Sequence, residues 1–235
     1  MTREVAYAPG KVLEAHGPTG PGTAPVVVLW HGSGPDERDA LAPLAAAVAR
    51  HGALVLVPDW QSDDPTTGAR QLRSSLAFAR HESAGLGGDP DRLVLAGWSL
   101  GASAALWVGL HPHDAGVVPS AVVGLGGSYA GSPFGDHVFA GRSRAVGNAA
   151  PAPRAVLVHG DADHLVAPER SAGAADRLDG LGWSVQLHLV HTDHAGVIGT
   201  VYDRSRARCV PTDDPVRAAV LDQVAALIAG VARAV

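Results

Sequence analysis

Short, continuous runs of β-branched and leucine residues alternate along this chain with longer Ala/Leu/Arg stretches of helical period. That alternation limits the fold more tightly than any other feature. "PVVVLWHG" (25–32), "ALVLVPDW" (53–60), "DRLVLAG" (91–97), "SAVVGLGG" (120–127), "RAVLVHG" (154–160) and "WSVQLHLV" (183–190) read as strands. The runs are nearly unbroken in apolar residues, as strands covered on both faces are. Between them, 36–51, 66–81, 100–111, 168–181 and 213–234 read as helices. Leu41, Leu44 and Val48 share one helical face, and Val216, Val220, Val224, Leu227 and Val231 share another. Strands separated by helices imply crossovers, so the expected class is α/β, with a mostly parallel central sheet and helices on both faces. The 235 residues suit a single domain over 1–235. Ligands of such sheets bind at the carboxyl ends of the strands, so the chemistry should lie just after each strand. The one long irregular stretch, 126–153, is expected to be a loop or a partial cover over that site.

Composition removes several function classes. The net charge is −5, Lys11 is the only lysine, and no basic cluster occurs, so no nucleic-acid partner is expected. A single cysteine, Cys209, excludes an intrachain disulfide and a cysteine-based zinc cluster. The start "MTREVAYAPGKVLEAHG" carries no apolar core of a signal peptide, and no apolar run is long enough to span a membrane. A cytoplasmic protein without a membrane partner is the expectation. The histidines of "HPHD" (111–114) and "HTDH" (191–194) match no complete ligand set, so no metal is expected.

The chemistry concentrates after the third strand. Gly97-Trp98-Ser99-Leu100-Gly101 is a G-x-S-x-G pentapeptide placed where a strand meets a helix. A turn that tight leaves no room for side chains at its flanks, hence the glycines. It pushes the Ser99 hydroxyl out at the carboxyl edge of the sheet, over a helix N-terminus whose Leu100 N–H can face a developing oxyanion. A serine at its free pKa is a weak nucleophile and needs a base. Acid and histidine should follow in that order, each after a strand. Asp161 and Asp163 follow "VLVHG", and His191 and His194 follow "LHLV". His194 is preferred as the base because it lies in the loop ahead of a glycine, whereas His191 is still close to its strand. Between the two aspartates turn chemistry alone does not choose, since Asp161 could brace the loop as an Asx turn. A second oxyanion donor is assigned to the Ser33 N–H of "WHGSG", with help from Gly34. Trp60, Trp98 and Tyr129 are candidate pocket walls. His31, His159 and His164 read as structural histidines.

With "HGSG", "VPDW", "DPDRLVLAGWSLGASAAL", "HGDADHLVAP" and "HTDHAGVI" in this order, the chain resembles the α/β-hydrolase superfamily, and within it the small carboxylesterases with little lid, over about residues 26–198. The resemblance implies Asp163 as the acid, three positions after the glycine of "HG", and His194 as the base. It departs from the family in reading HGSG rather than HGGG. It also departs from the similarly sized dienelactone hydrolases, whose nucleophile is a cysteine. The implied activity is hydrolysis of small carboxylic esters through an acyl-enzyme, with no cofactor required. A peptidase or amidase, an acyltransferase or thioesterase, and a non-catalytic binding protein on the same fold are the alternatives. The small-molecule ester is the only partner implied, and the oligomeric state stays open.

Overall fold

Eight strands line up in one sheet: β1 (Thr2–Ala8), β2 (Lys11–His16), β3 (Ala24–Trp30), β4 (Leu54–Pro58), β5 (Gly88–Trp98), β6 (Ala121–Leu125), β7 (Arg154–Gly160) and β8 (Val185–Val190). Their spatial order is β1-β2-β4-β3-β5-β6-β7-β8. β2 pairs antiparallel with both β1 and β4, and every pairing from β4 across to β8 is parallel. The computed structural model describes residues 1–135, 137–141 and 154–235; the remainder of the expected cover over 126–153 lies outside the described residues.

The apolar runs take their places in the sheet because each strand is covered twice. Side chains alternate between faces along a strand. Val26, Val28 and Trp30 of β3 accordingly join one buried cluster, with Leu54, Leu56, Leu93, Leu95, Val122 and Leu157. Their neighbours Val27 and Leu29 join a second, with Val55, Val57, Val94, Val123 and Val158. Helices α2 (Pro65–Glu82), α3 (Leu100–Leu110) and α5 (Glu169–Gly180) cover the first face. Helices α1 (Arg38–Arg50) and α6 (Pro215–Arg233) cover the second. The single turn α4 (Pro112–Ala115) only reverses the chain after α3.

The helix starts follow local chemistry. Asp64 accepts the Thr66 and Thr67 N–H groups ahead of Pro65, and Asp214 accepts the Val216 N–H ahead of Pro215. Both helices therefore begin within two residues of the sequence-based limits. α6 is long and apolar enough to cross a membrane by length and mean hydropathy, 1.5. Its Val220, Val224, Ile228 and Val231 are instead buried against the second face, a use that accounts for its composition.

Three elements differ from the expectation. The hairpin of β1 and β2 adds two strands that the sequence does not announce. It lies at the sheet's edge, and in β1 exposed and half-buried residues alternate, so no apolar run marks it. A small two-stranded sheet, β9 (Thr200–Asp203) with β10 (Arg208–Pro211), stands apart before α6. A 3₁₀ turn (Gly196–Ile198) follows His194.

Candidate active site

The turn between β5 and α3 carries Ser99 with φ 55° and ψ −118°, a left-handed backbone that a serine adopts only under constraint. Three contacts hold it. The Ser99 N–H donates to Leu125 O at the end of β6, 2.8 Å away, and the Ser99 carbonyl accepts the N–H groups of Ala102 and Ser103. A side chain at Gly97 would overlap the backbone of Gly101, and one at Gly101 would overlap the carbonyls of Trp30 and His31. Both glycines of the pentapeptide are thus required by close backbone approach. Ser99 is half-buried at the carboxyl edge of β5. Among the described residues its hydroxyl makes no hydrogen bond, and no acceptor takes the Leu100 or Ser33 N–H groups. These are the groups the sequence reading assigns to the nucleophile and the oxyanion donors. Ser33 is exposed in the loop after β3, beside Gly32, where a Cβ would stand 3.0 Å from Ser99 Cβ.

The acid and base candidates sort themselves into two pairs. His194 Nδ1 lies 2.6 Å from Asp163 Oδ2, with the Asp163 side chain fully buried and that of His194 10% exposed. His191 Nδ1 lies 3.1 Å from Asp161 Oδ2, but that His191 side chain is 90% exposed. Only the first pair is withdrawn from water. Asp163 is held rigidly: its Oδ1 accepts the N–H groups of Leu165 and Val166 at 2.9 and 2.8 Å. A carboxylate so oriented fixes the hydrogen of His194 on Nδ1 and leaves Nε2 with its lone pair.

The loop of His194 is held by neighbours that the sequence reading did not single out. Gly126, directly after Leu125, has φ +57°, and a Cβ there would stand 3.3 Å from both Cε1 and Nδ1 of His194. It is a third glycine of the site, legible only once β6 is placed beside β5. Asp193 caps the following turn by accepting the Gly196 N–H at 2.8 Å. Arg217 of α6 grips Asp193 through two nitrogens at 2.8 and 2.7 Å and also donates to Thr200 O. That guanidinium, more than any other influence, holds the Asp193 carboxyl below its ordinary range. The base loop is thereby tied to the helix behind it.

The candidate pocket walls do different work. Trp60 is fully buried and stacks on His31, ring centroids 5.2 Å apart, so it is core beneath the Ser33 loop rather than a pocket wall. Trp98 is nearly buried, and its Nε1–H donates to His194 O at 3.1 Å with the two rings 5.1 Å apart. It is a strut for the base loop. Tyr129, also buried, has φ 52° and donates its N–H to Ser103 Oγ, lying against Gly124 and Gly127. Gly34 spends its N–H on Ser62 Oγ at 2.7 Å and is therefore engaged, whereas among the described residues the Ser33 N–H has no acceptor. His111 of the "HPHD" segment lies with Nδ1 2.9 Å from Trp107 O and Nε2 3.1 Å from Ala140 O, so its ring is engaged by the backbone. A cavity of about 500 Å³ lies against α5, with Tyr129, Phe139, Arg170 and Arg177 on its walls.

Comparison with known proteins agrees with this architecture. No protein-family description and no curated protein matches the chain. Solved structures do. Esterase 2 of Thermogutta terrifontis, phosphoramylated by tabun, superposes with a TM-score of 0.76 at 15% identity, over 98% of this chain and 94% of that one. The Pyrobaculum calidifontis esterase gives 0.74 at 16% identity, covering 99% and 85%. Esterase LipW of Mycobacterium marinum gives 0.68 at 18%, covering 98% and 82%. The chain has the α/β-hydrolase fold.

Proposed function

We propose that this chain is a single-domain serine hydrolase of the cytoplasm that cleaves small carboxylic esters. Ser99 is the nucleophile, His194 the general base and acid, Asp163 the acid that orients it, and Leu100 and Ser33 supply the oxyanion donors. The observation that carries the reading is the buried 2.6 Å pair of His194 and Asp163 beside a serine whose backbone is held at positive φ. Structural or decorative histidines have no need of a neighbouring strained serine.

In the reaction, His194 Nε2 takes the Ser99 hydroxyl proton as the oxygen attacks the ester carbonyl. The negative oxygen of the tetrahedral adduct sits against the Leu100 and Ser33 N–H groups. As the adduct collapses, His194 returns the proton to the leaving alcohol, and the acyl group stays on Ser99. Water, deprotonated by His194, then releases the carboxylic acid and restores the serine. Among the described residues no hydrogen bond joins the Ser99 hydroxyl to His194; catalytic contacts of this kind are commonly long until substrate tightens them. Ester hydrolysis is favoured over the wider class by the company the fold keeps: one structure of the Thermogutta esterase 2 is described as propionate-bound and another as phosphorylated by paraoxon.

p-Nitrophenyl acetate hydrolysis tests the reading. Ser99→Ala should abolish turnover while the far-UV spectrum is unchanged; retained turnover places the nucleophile elsewhere.

A further inference from the structure

Asp163 Oδ2 has a second imidazole beside it. His159, the penultimate residue of β7, points to the α5 face and is fully buried. Its Nε2 lies 2.8 Å from Val166 O and 3.2 Å from Asp163 Oδ2. A carbonyl only accepts, so Nε2 carries a hydrogen that it donates to Val166 O, and the positive end of that N–H stands beside the Asp163 carboxylate without bonding to it. The other ring nitrogen, Nδ1, lies 2.6 Å from Ser171 Oγ in the first turn of α5. Ser171 is itself fully buried, and its hydroxyl pins the ring in this orientation. Behind it the Tyr129 hydroxyl is buried, and among the described residues it closes no hydrogen bond.

Resting on the reading of Ser99, His194 and Asp163 just given, we infer that His159, fixed by Ser171, is a positioning residue for the acid, and that by holding its N–H dipole 3.2 Å from Asp163 Oδ2 it sets how strongly the base holds its proton. Asp163 accepts from three donors, two backbone N–H groups on Oδ1 and His194 Nδ1 on Oδ2, and the His159 N–H is a further polar neighbour of Oδ2. A dipole whose positive end faces the carboxylate stabilises the ionised form and draws on its charge. The His159 N–H therefore weakens the pull of Oδ2 on the His194 N–H. Without it, the carboxylate's charge concentrates on the one remaining imidazole, and His194 keeps its proton to higher pH. His159 touches neither Ser99 nor the oxyanion donors, so its influence passes through Asp163.

The other charged groups around His194 are already committed. Asp193, adjacent in sequence, is paired with Arg217 from α6. The Asp161–His191 pair on the neighbouring loops is exposed to solvent, which screens it. From the ends of β5 and β6, Trp98 and Gly126 reach the ring, and neither titrates. Among the described residues, His159 is the additional titratable side chain beside the carboxylate that orients the base.

The experiment is the pH profile of kcat/KM for p-nitrophenyl acetate in wild type, His159→Leu and His159→Gln. His159→Leu should move the acid limb to higher pH by roughly half a unit, the scale expected when a buried N–H dipole beside the carboxylate is lost. His159→Gln can offer an amide N–H near the Nε2 position and should return the limb toward wild type. A purely structural histidine would alter stability and leave the limb where it is. An unmoved limb in a folded His159→Leu protein overturns the inference. Should that variant fail to fold, Ser171→Ala frees the ring without emptying its slot and should move the limb in the same direction; a wild-type limb there overturns it equally. If Ser99→Ala keeps its turnover, it is the assignment of the nucleophile that has failed, and the two failures are distinguishable.

Discussion

Replacing Asp163 by asparagine, set against the same change at Asp161, separates the two acid candidates. The Asp163 carboxylate faces N–H groups throughout: Leu165, Val166 and His194 donate to it, and the His159 N–H stands 3.2 Å from Oδ2. An amide in the same place must turn its NH₂ toward one pair of them. Facing the imidazoles, it forces His194 to accept on Nδ1 and so places the hydrogen on Nε2, where the base is needed. The equivalent change in the serine-protease triad costs about ten-thousand-fold in kcat. That loss corresponds to about 5 kcal/mol of barrier. Facing the backbone pair instead, the amide leaves a buried donor clash, worth about 1–3 kcal/mol of stability. Asp161 has none of this: its partner is a His191 side chain 90% exposed, and a surface pair contributes about 1 kcal/mol at most. Steady-state hydrolysis of p-nitrophenyl acetate, with urea denaturation of each variant, should therefore show Asp163→Asn crippled in turnover and Asp161→Asn within about fivefold of wild type. Asp161→Asn as the crippled variant would refute the reasoning, as would Asp163→Asn retaining turnover within about tenfold.

Two further outcomes follow from the packing of the site. Trp98→Phe removes the donor to His194 O while keeping the ring, so thermal unfolding should report a loss of about 1 kcal/mol and kcat should fall more than KM changes; an undiminished kcat would mean that Trp98 does not support the base loop. Burial holds the His31 imidazole down to about 4, against 6.5 for the free side chain. The unfolded chain takes up this proton as pH falls below about 6.5 and the folded chain does not until about 4, so this stability is present above about 6.5 and is lost on acidification, by about 3 kcal/mol at most. Urea titrations near neutral pH and near pH 4.5 should show a smaller acid loss for His31→Gln than for wild type, and equal losses would contradict the assignment.

The parallel part of the fold is legible in the sequence because strands covered on both faces must be apolar at every position, and such runs stand out. β7 is read to the residue, and the helices to within two, since proline and aspartate mark their starts. The β1–β2 hairpin escapes the same reading because half of β1 faces solvent, so its TREVAYA segment forms no unbroken run of large apolar residues. At the site, G-x-S-x-G announces its turn because the glycines are dictated by backbone contacts within a few residues. What the sequence cannot rank is side-chain direction. Trp98 and Trp60 look alike as candidate walls, yet one braces the base loop and the other fills the core under His31. His159 reads as an ordinary core histidine, and only the position of α5 reveals that it meets Asp163 on one side and Ser171 on the other. Gly126 likewise becomes meaningful only when β6 lies against β5.

A fluorophosphonate probe followed by intact-mass and peptide analysis tests the central claim most directly. The account predicts a single adduct, carried by Ser99 in the wild-type protein, strongly slowed in Asp163→Asn and absent in Ser99→Ala. A folded wild-type protein that gains no mass, or that gains it on another residue, would contradict it.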